Sequence, residues 1–289
     1  MIETANITEY DKGNALIDAL INNKAIKVER REFLYKLFKD HEHVNEILES
    51  GPIDIVSEDK IKHMAVKLID QTTLLSSSIS FAAGIPGGLA AFGTIPADII
   101  QFYGMSAVLA QKLMYLYGYP NMYNDDNLSE EGRIALIAFM GVMLGVSGAN
   151  VVVKGISSSL AKQAVKKLPQ KALTKTAYYP IIKKIVITLG GKLTKTSFAK
   201  SVSKVIPVVG GVVSGAMTMA TLKPMGIKLQ KTLHKDIFEV TDSEILIEKE
   251  LIIEKSPIEK LKEAKELLDL GILDENEFLE LKNKYMSAL

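Results

Sequence analysis

The sequence predicts an all-α protein: a multi-helix bundle with glycine-rich apolar helical hairpins, followed by a small C-terminal helical hairpin. Three observations predict it. Apolar residues recur at helical spacing through most of the chain. Three long uncharged stretches are punctuated by Gly and Pro. The tail carries paired helix start and stop signals.

Each element has its own signal. Residues 14–22 place Leu16, Ile17, Leu20 and Ile21 at helical spacing, and 28–48 do so again through Phe33, Leu34, Leu37, Phe38, Val44, Ile47 and Leu48. Gly51-Pro52 stops that helix. Ser57, with Asp59 and Lys60, opens another that carries Ile61, Met64, Ala65, Leu68 and Ile69 on one face. It runs into a glycine-rich segment that Pro86-Gly87-Gly88 and Pro96 break. A helix over 98–117 ends at Gly118-Tyr119-Pro120, and the polar loop NMYNDDN comes next. Ser129-Glu130-Glu131 then starts a helix, with acids in the first turn where the dipole favours them. Residues 154–204 are lysine-studded helices. The acidic, β-branched run 236–255 fits a helix or a strand. Ser256-Pro257 starts a tail helix with Leu261, Ala264, Leu267 and Leu268 on one face, and Gly271 ends it. Asp274 and Glu277 cap a second helix carrying Phe278, Leu281 and Tyr285.

These boundaries divide the chain into an N-terminal helical arm (1–55), a glycine-rich and basic helical domain (56–235), an acidic linker (236–255) and the helical hairpin (256–289). At 289 residues the chain is long enough for a sizeable core, and its 47% hydrophobic content excludes a disordered or collagen-like polymer. The absence of Cys excludes disulfides, thiolate zinc sites, iron–sulfur clusters and cysteine nucleophiles.

A net charge of +1 conceals a blockwise layout. Residues 1–131 carry 19 acids and 11 bases, and 236–289 carry 15 acids and 7 bases. Between them, 104 residues (132–235) hold 17 Lys or Arg and no Asp or Glu. Such a block calls for a polyanion, an acidic partner or the chain's own acidic ends. Lys154, Lys162, Lys166 and Lys167, then Lys192, Lys195, Lys200 and Lys204, recur near a helical period, as in basic amphipathic helices on anionic lipid. No helix-turn-helix, zinc-finger or RNA-stacking signature accompanies them, so nucleic acid is not the expected partner.

The uncharged stretches are 71–97, 134–153 and 205–222, of 27, 20 and 18 residues. Each reaches the length of about 17–25 residues that a helix needs to cross a bilayer. Each holds a small-xxx-small pair: Gly84 and Gly88, Gly141 and Gly145, Gly211 and Gly215. Such pairs let helix backbones approach closely in lipid, although buried hairpins of a soluble bundle have the same look. The polar N-terminus lacks a signal peptide's basic and apolar regions.

Catalytic and cofactor patterns are missing. His41-Glu42-His43 lacks the His-Glu-x-x-His spacing, Gly191-Lys192-Leu193 is no phosphate loop, and Gly145–Ala149 fails the Gly-x-Ser-x-Gly elbow. No cofactor or metal is expected. Asp98, two residues after Pro96, is the one acid embedded in apolar sequence. It suits the first turn of a helix, or else an anchoring acid at an intramembrane site.

The stretch AAGIPGGLAAFGTIPADIIQFYGMSAVLAQKLMYLYGYP (82–120) resembles the central signature of the EcsC family, and KVIPVVGGVVSGAMTMATLKPMGIKLQKTL (204–233) resembles that family's C-terminal helix. Met217 or Met219 stands where the family usually has Asn. Residues 261–289, with Leu270-Gly271-Ile272-Leu273-Asp274 and Glu277-Phe278, resemble a SHOCT tail. The resemblance covers about 60–235 plus the tail and implies a bacterial protein with no established catalytic residues. The expected function is non-enzymatic association with the cytoplasmic side of the bacterial membrane, through glycine-zipper helices and lysines on anionic lipid. Residues 256–289 would serve self-association or a protein partner. The alternatives are a soluble helical scaffold and a pore-forming or toxic effector.

Overall fold

The computed structural model describes residues 8–74, 97–124, 127–161, 175–193, 197, 214–239, 261, 264–265, 268 and 275–286. The fold is all-α, with one two-stranded ladder among the described residues.

Helix α1 (Glu9–Ile21) starts at a capping box. Asp11 N–H donates to Thr8 Oγ1 at 3.2 Å, and Thr8 N–H donates to Asp11 Oδ2 at 3.0 Å. These bonds hold the Asp11 carboxyl below its ordinary value. The helix expected over 28–48 is two helices, α2 (Arg30–Phe38) and α3 (Val44–Ser50). The charged run Lys39–His43 offers the core nothing to bury, and it turns the chain with His41 N–H on the Phe38 carbonyl. Gly51 ends α3 with φ +96° and backs onto Gly118, a close approach that leaves no room for a side chain.

Helix α4 (Glu58–Leu74) buries Ile61, Ala65, Leu68 and Ile69 as its period predicts. Helix α5 (Ala97–Leu116) closes in a Schellman turn: Gly118 takes φ +82°, and Tyr119 N–H reaches the Met114 carbonyl. The polar loop expected after it contains a short antiparallel ladder, β1 (Tyr123–Asn124) on β2 (Asn127–Leu128), with Tyr123 opposite Leu128. Ser129 caps α6 (Glu130–Leu144) by accepting from Gly132 N–H at 2.9 Å. Then come α7 (Ala149–Ala161), α8 (Lys175–Gly191) and α9 (Ser214–His234). A π-helical turn (Lys235–Glu239) extends α9, and the tail helix α10 (Glu275–Met286) comes last. Lys265 lies over the Phe278 ring at 5.7 Å. Most of the expected helix before α10 lies outside the described residues.

The second uncharged stretch is not one helix. It folds back at Gly145-Val146-Ser147-Gly148 between α6 and α7, with both glycines at positive φ. Among the described residues no helix is long and apolar enough to cross a membrane.

Side-chain contacts fix the helix directions. Asp70 pairs with Lys223 at 2.6 Å and Glu58 with His234 at 2.9 Å, so α4 and α9 run antiparallel. Gly226 packs against Leu109 and Ile69 at one level, and Tyr117 meets Gln230 and His234 at the next, so α5 runs with α9. Gly148 faces Ile181 and Gly155 faces Tyr178, which sets α7 against α8. Helices α4 to α9 therefore alternate up and down. One buried cluster joins them and also takes in Leu16, Leu34, Ile47 and Val56 from the first 56 residues.

Candidate functional site

The bundle has two unlike ends. One is built from Glu58, Tyr117, Tyr119, Ser157, Gln230, His234 and Asp236, a polar cluster largely buried in the fold. Gln230 Nε2 donates to Tyr117 Oη at 2.9 Å, and Tyr117 Oη lies 3.4 Å from His234 Nδ1. The phenol proton then faces Nδ1, and the Nε2–H of His234 points to Glu58 at 2.9 Å. Burial pushes the Tyr117 phenol up to about 12. Tyr119 and Ser157 share a hydrogen bond in the core, and burial pushes the Tyr119 phenol well above its ordinary value. Both phenols stay neutral at physiological pH, so they act as hydrogen-bonding struts.

Two further buried groups close this end. Arg30 donates from Nε to the Tyr119 carbonyl at 3.0 Å and from Nη1 to the Leu48 carbonyl at 2.8 Å, which ties α2 to the turn after α5. Burial lowers its pKa, yet a guanidinium remains charged. Gln111 uses its whole amide. Oε1 accepts from Val28 N–H and Tyr123 O–H, both at 3.1 Å, and Nε2 donates to the carbonyls of Ile26 and Ala107. Sequence reasoning missed Arg30, Gln111 and His234. For Gln111 a signal exists, because it interrupts the apolar helix 98–117.

Among the described residues the opposite end has no such polar cluster. Helix α4 ends here at Leu74, α5 begins here, and α9 begins here within the third uncharged stretch. Asp70 and Lys223, the charges that bound the first and third stretches, are the two that pair. The α6–α7 turn, drawn from the second stretch, opens toward the same end, and the Lys228 side chain of α9 reaches the turn at Gly145. So the described parts of the three uncharged stretches, residues 71–74 and 97, the α6–α7 turn and the start of α9, stand at one end. Leu74 is 64% exposed there and Val151, in the first turn of α7, 39%.

Of the glycines expected to pack helices, Gly141 does so: a Cβ there would press on Ile185 and Ala149. Gly145 does not. It is the left-handed cap that ends α6, so the pair does not line one helix face. Gly215 lies in the first turn of α9, while Gly84, Gly88 and Gly211 lie outside the described residues. The closest helix crossing uses glycines that sequence reasoning missed. A Cβ at Gly13 would overlap the Val186 carbonyl, and one at Gly190 the Glu9 carbonyl. There α1 and α8 touch backbone to backbone.

Of the lysines expected to bind anionic lipid, the two described ones stand apart. Lys154 is half-buried on α7, which runs toward the His234 end, whereas half-buried Lys192 comes after α8 at the uncharged end. Lys162, Lys166, Lys167, Lys195, Lys200 and Lys204 lie outside the described residues, as does Pro96. Asp98 falls in the first turn of α5. The acid-free block meets the acidic N-terminal block directly. Arg133 pairs with Asp18, Lys223 pairs with Asp70, and Lys183 lies over the Tyr10 ring at 5.5 Å. Among the described residues no group of His, Asp and Glu could hold a metal ion. Comparison with known proteins finds no match among protein-family models, curated proteins or solved structures.

Proposed function

We propose that this is a non-enzymatic bacterial protein that associates with the cytoplasmic side of the membrane, using its glycine-rich connections to dock and the acid-free lysine block to bind anionic lipid. One observation supports the reading: the described parts of three uncharged stretches, dispersed between residues 71 and 222, reach the same end of the bundle. A soluble bundle places charged loops at both ends, because loops meet water. Lysines near an anionic surface contribute about 1 kcal/mol each. Membership of the EcsC family, on segments 82–120 and 204–233, belongs to the same proposal, as does self-association or partner binding through 256–289.

The rival is a soluble helical scaffold. The pairs Asp18–Arg133 and Asp70–Lys223 favour it, since part of the basic block is answered within the chain. Flotation of the purified protein with neutral and anionic vesicles decides between them. The membrane reading expects flotation with anionic vesicles. Loss in salt marks peripheral binding, and resistance to salt and alkaline carbonate marks insertion. Dye leakage from the vesicles would identify a pore-former. Flotation with neither vesicle leaves the scaffold.

A further inference from the structure

We infer that the bundle stands end-on against an anionic bilayer, with Leu74 and the starts of α5 and α9 toward the lipid and the Asp70–Lys223 pair at headgroup level. This orientation rests on the membrane reading and adds which part of the molecule meets lipid.

Charge sets the depth. Beyond Asp70, α4 has only Gln71, Thr72, Thr73 and Leu74, and before Lys223, α9 has no charge back to its start at Ser214. Acids do stand at this end besides Asp70: Asp98, in the first turn of α5, and exposed Glu9, at the start of α1 beside Gly190–Gly191, each at a helix N-terminus that favours a carboxylate. By helix rise, α9 extends about 13 Å past Lys223, far enough to bury an interfacial element. The pair itself can sit where headgroups and water solvate both partners. Lys67, exposed less than one helical turn back from Asp70, and Lys192 lie within reach of lipid phosphates. Exposed Leu74 supplies apolar surface that water penalises and an acyl boundary accepts.

Among the described residues the other end offers an anionic surface no positive excess, because the exposed acids Glu58, Asp59 and Glu239 stand there with Lys60, Lys62 and Lys235. The exposed lysines Lys231 and Lys235 lie about 12 and 18 Å along the helix from Lys223. In this orientation they are more than a screening length from the headgroups at physiological salt. A side-on bundle would instead place them on the lipid.

Flotation of the full chain with anionic vesicles separates these arrangements. Leu74→Glu is expected to weaken binding roughly tenfold, within what burial of one leucine supplies. The double variant Lys231→Glu/Lys235→Glu is expected to bind within about twofold of wild type, against a loss of roughly thirtyfold if both lysines touched lipid. Both variants change exposed positions, and urea unfolding of each checks that the bundle is intact. The reverse pattern, with Leu74→Glu neutral and the lysine variant weak, overturns the orientation and leaves the membrane reading standing. Failure of the wild-type protein to float overturns both. A dimer in solution that Leu74→Glu dissociates, with no flotation, would assign this end to a second copy instead.

Discussion

The two ends of the bundle are made by the same helices and finished in opposite ways. At the His234 end buried polar groups tie the described helices and turns to one another. Arg30 spans two carbonyls, Gln111 uses both amide atoms, and Tyr117 links Gln230 to His234. At the Asp70–Lys223 end the charges stop and the uncharged stretches begin. Satisfied buried polar groups hold the elements they join in one arrangement, so these bonds stiffen that end. An end where α4 and α9 run on without charge past a single ion pair, and where Leu74 is exposed, suits the lipid contact proposed above. The difference gives the His234 end the role of holding the fold together and supports the proposal that the other end meets lipid.

Substitutions can break this contrast, beginning with the largest effect. Gly190→Leu should cost roughly 3 kcal/mol or more in urea unfolding, because the new side chain must part α1 from α8. Wild-type stability would mean that the two backbones do not touch at this crossing. Gln111→Leu should cost about 2–3 kcal/mol, since Val28 N–H and the Tyr123 hydroxyl lose their shared acceptor in the core. Arg30→Met should cost about 2 kcal/mol through the freed carbonyls of Leu48 and Tyr119.

Smaller effects sharpen the comparison. Thr8→Ala removes the α1 capping box and should cost about 1 kcal/mol at neutral pH. The Asp11 carboxyl is depressed by Thr8, so its contribution is complete above its ordinary value of 3.8 and lost as pH falls through the folded value. The difference between Thr8→Ala and wild type should therefore shrink below about pH 4, and a difference constant down to pH 2 would contradict the cap. Asp70→Asn should change stability by less than about 1 kcal/mol, because the pair with Lys223 is half-exposed. A large loss there would mean that this end, too, is closed by its own polar contacts.

Much of the fold was legible in the residues. Ser129, Gly51 and Gly118 mark helix ends by chemistry that acts over one turn, and the spacing of Ile61, Ala65, Leu68 and Ile69 shows the buried face of α4. Gly145 was not legible, because glycines four apart look alike whether they line a helix face or cap its end. The difference lies three residues on, where Gly148 turns the chain back. The partners Asp18 and Arg133 stand 115 residues apart, and no local pattern joins them. That the end of α4, the α6–α7 turn and the starts of α5 and α9 share one end was likewise out of reach, since it depends on every intervening helix reversing direction.

The most direct test exploits a chain with neither Cys nor Trp. A single Trp placed by Leu74→Trp, and another by Glu239→Trp at the opposite end, report each environment separately. With anionic vesicles containing brominated lipid, the account predicts a blue shift and strong quenching for Trp at position 74 and an unchanged spectrum for Trp at position 239. Quenching at position 239 with none at position 74 would contradict it.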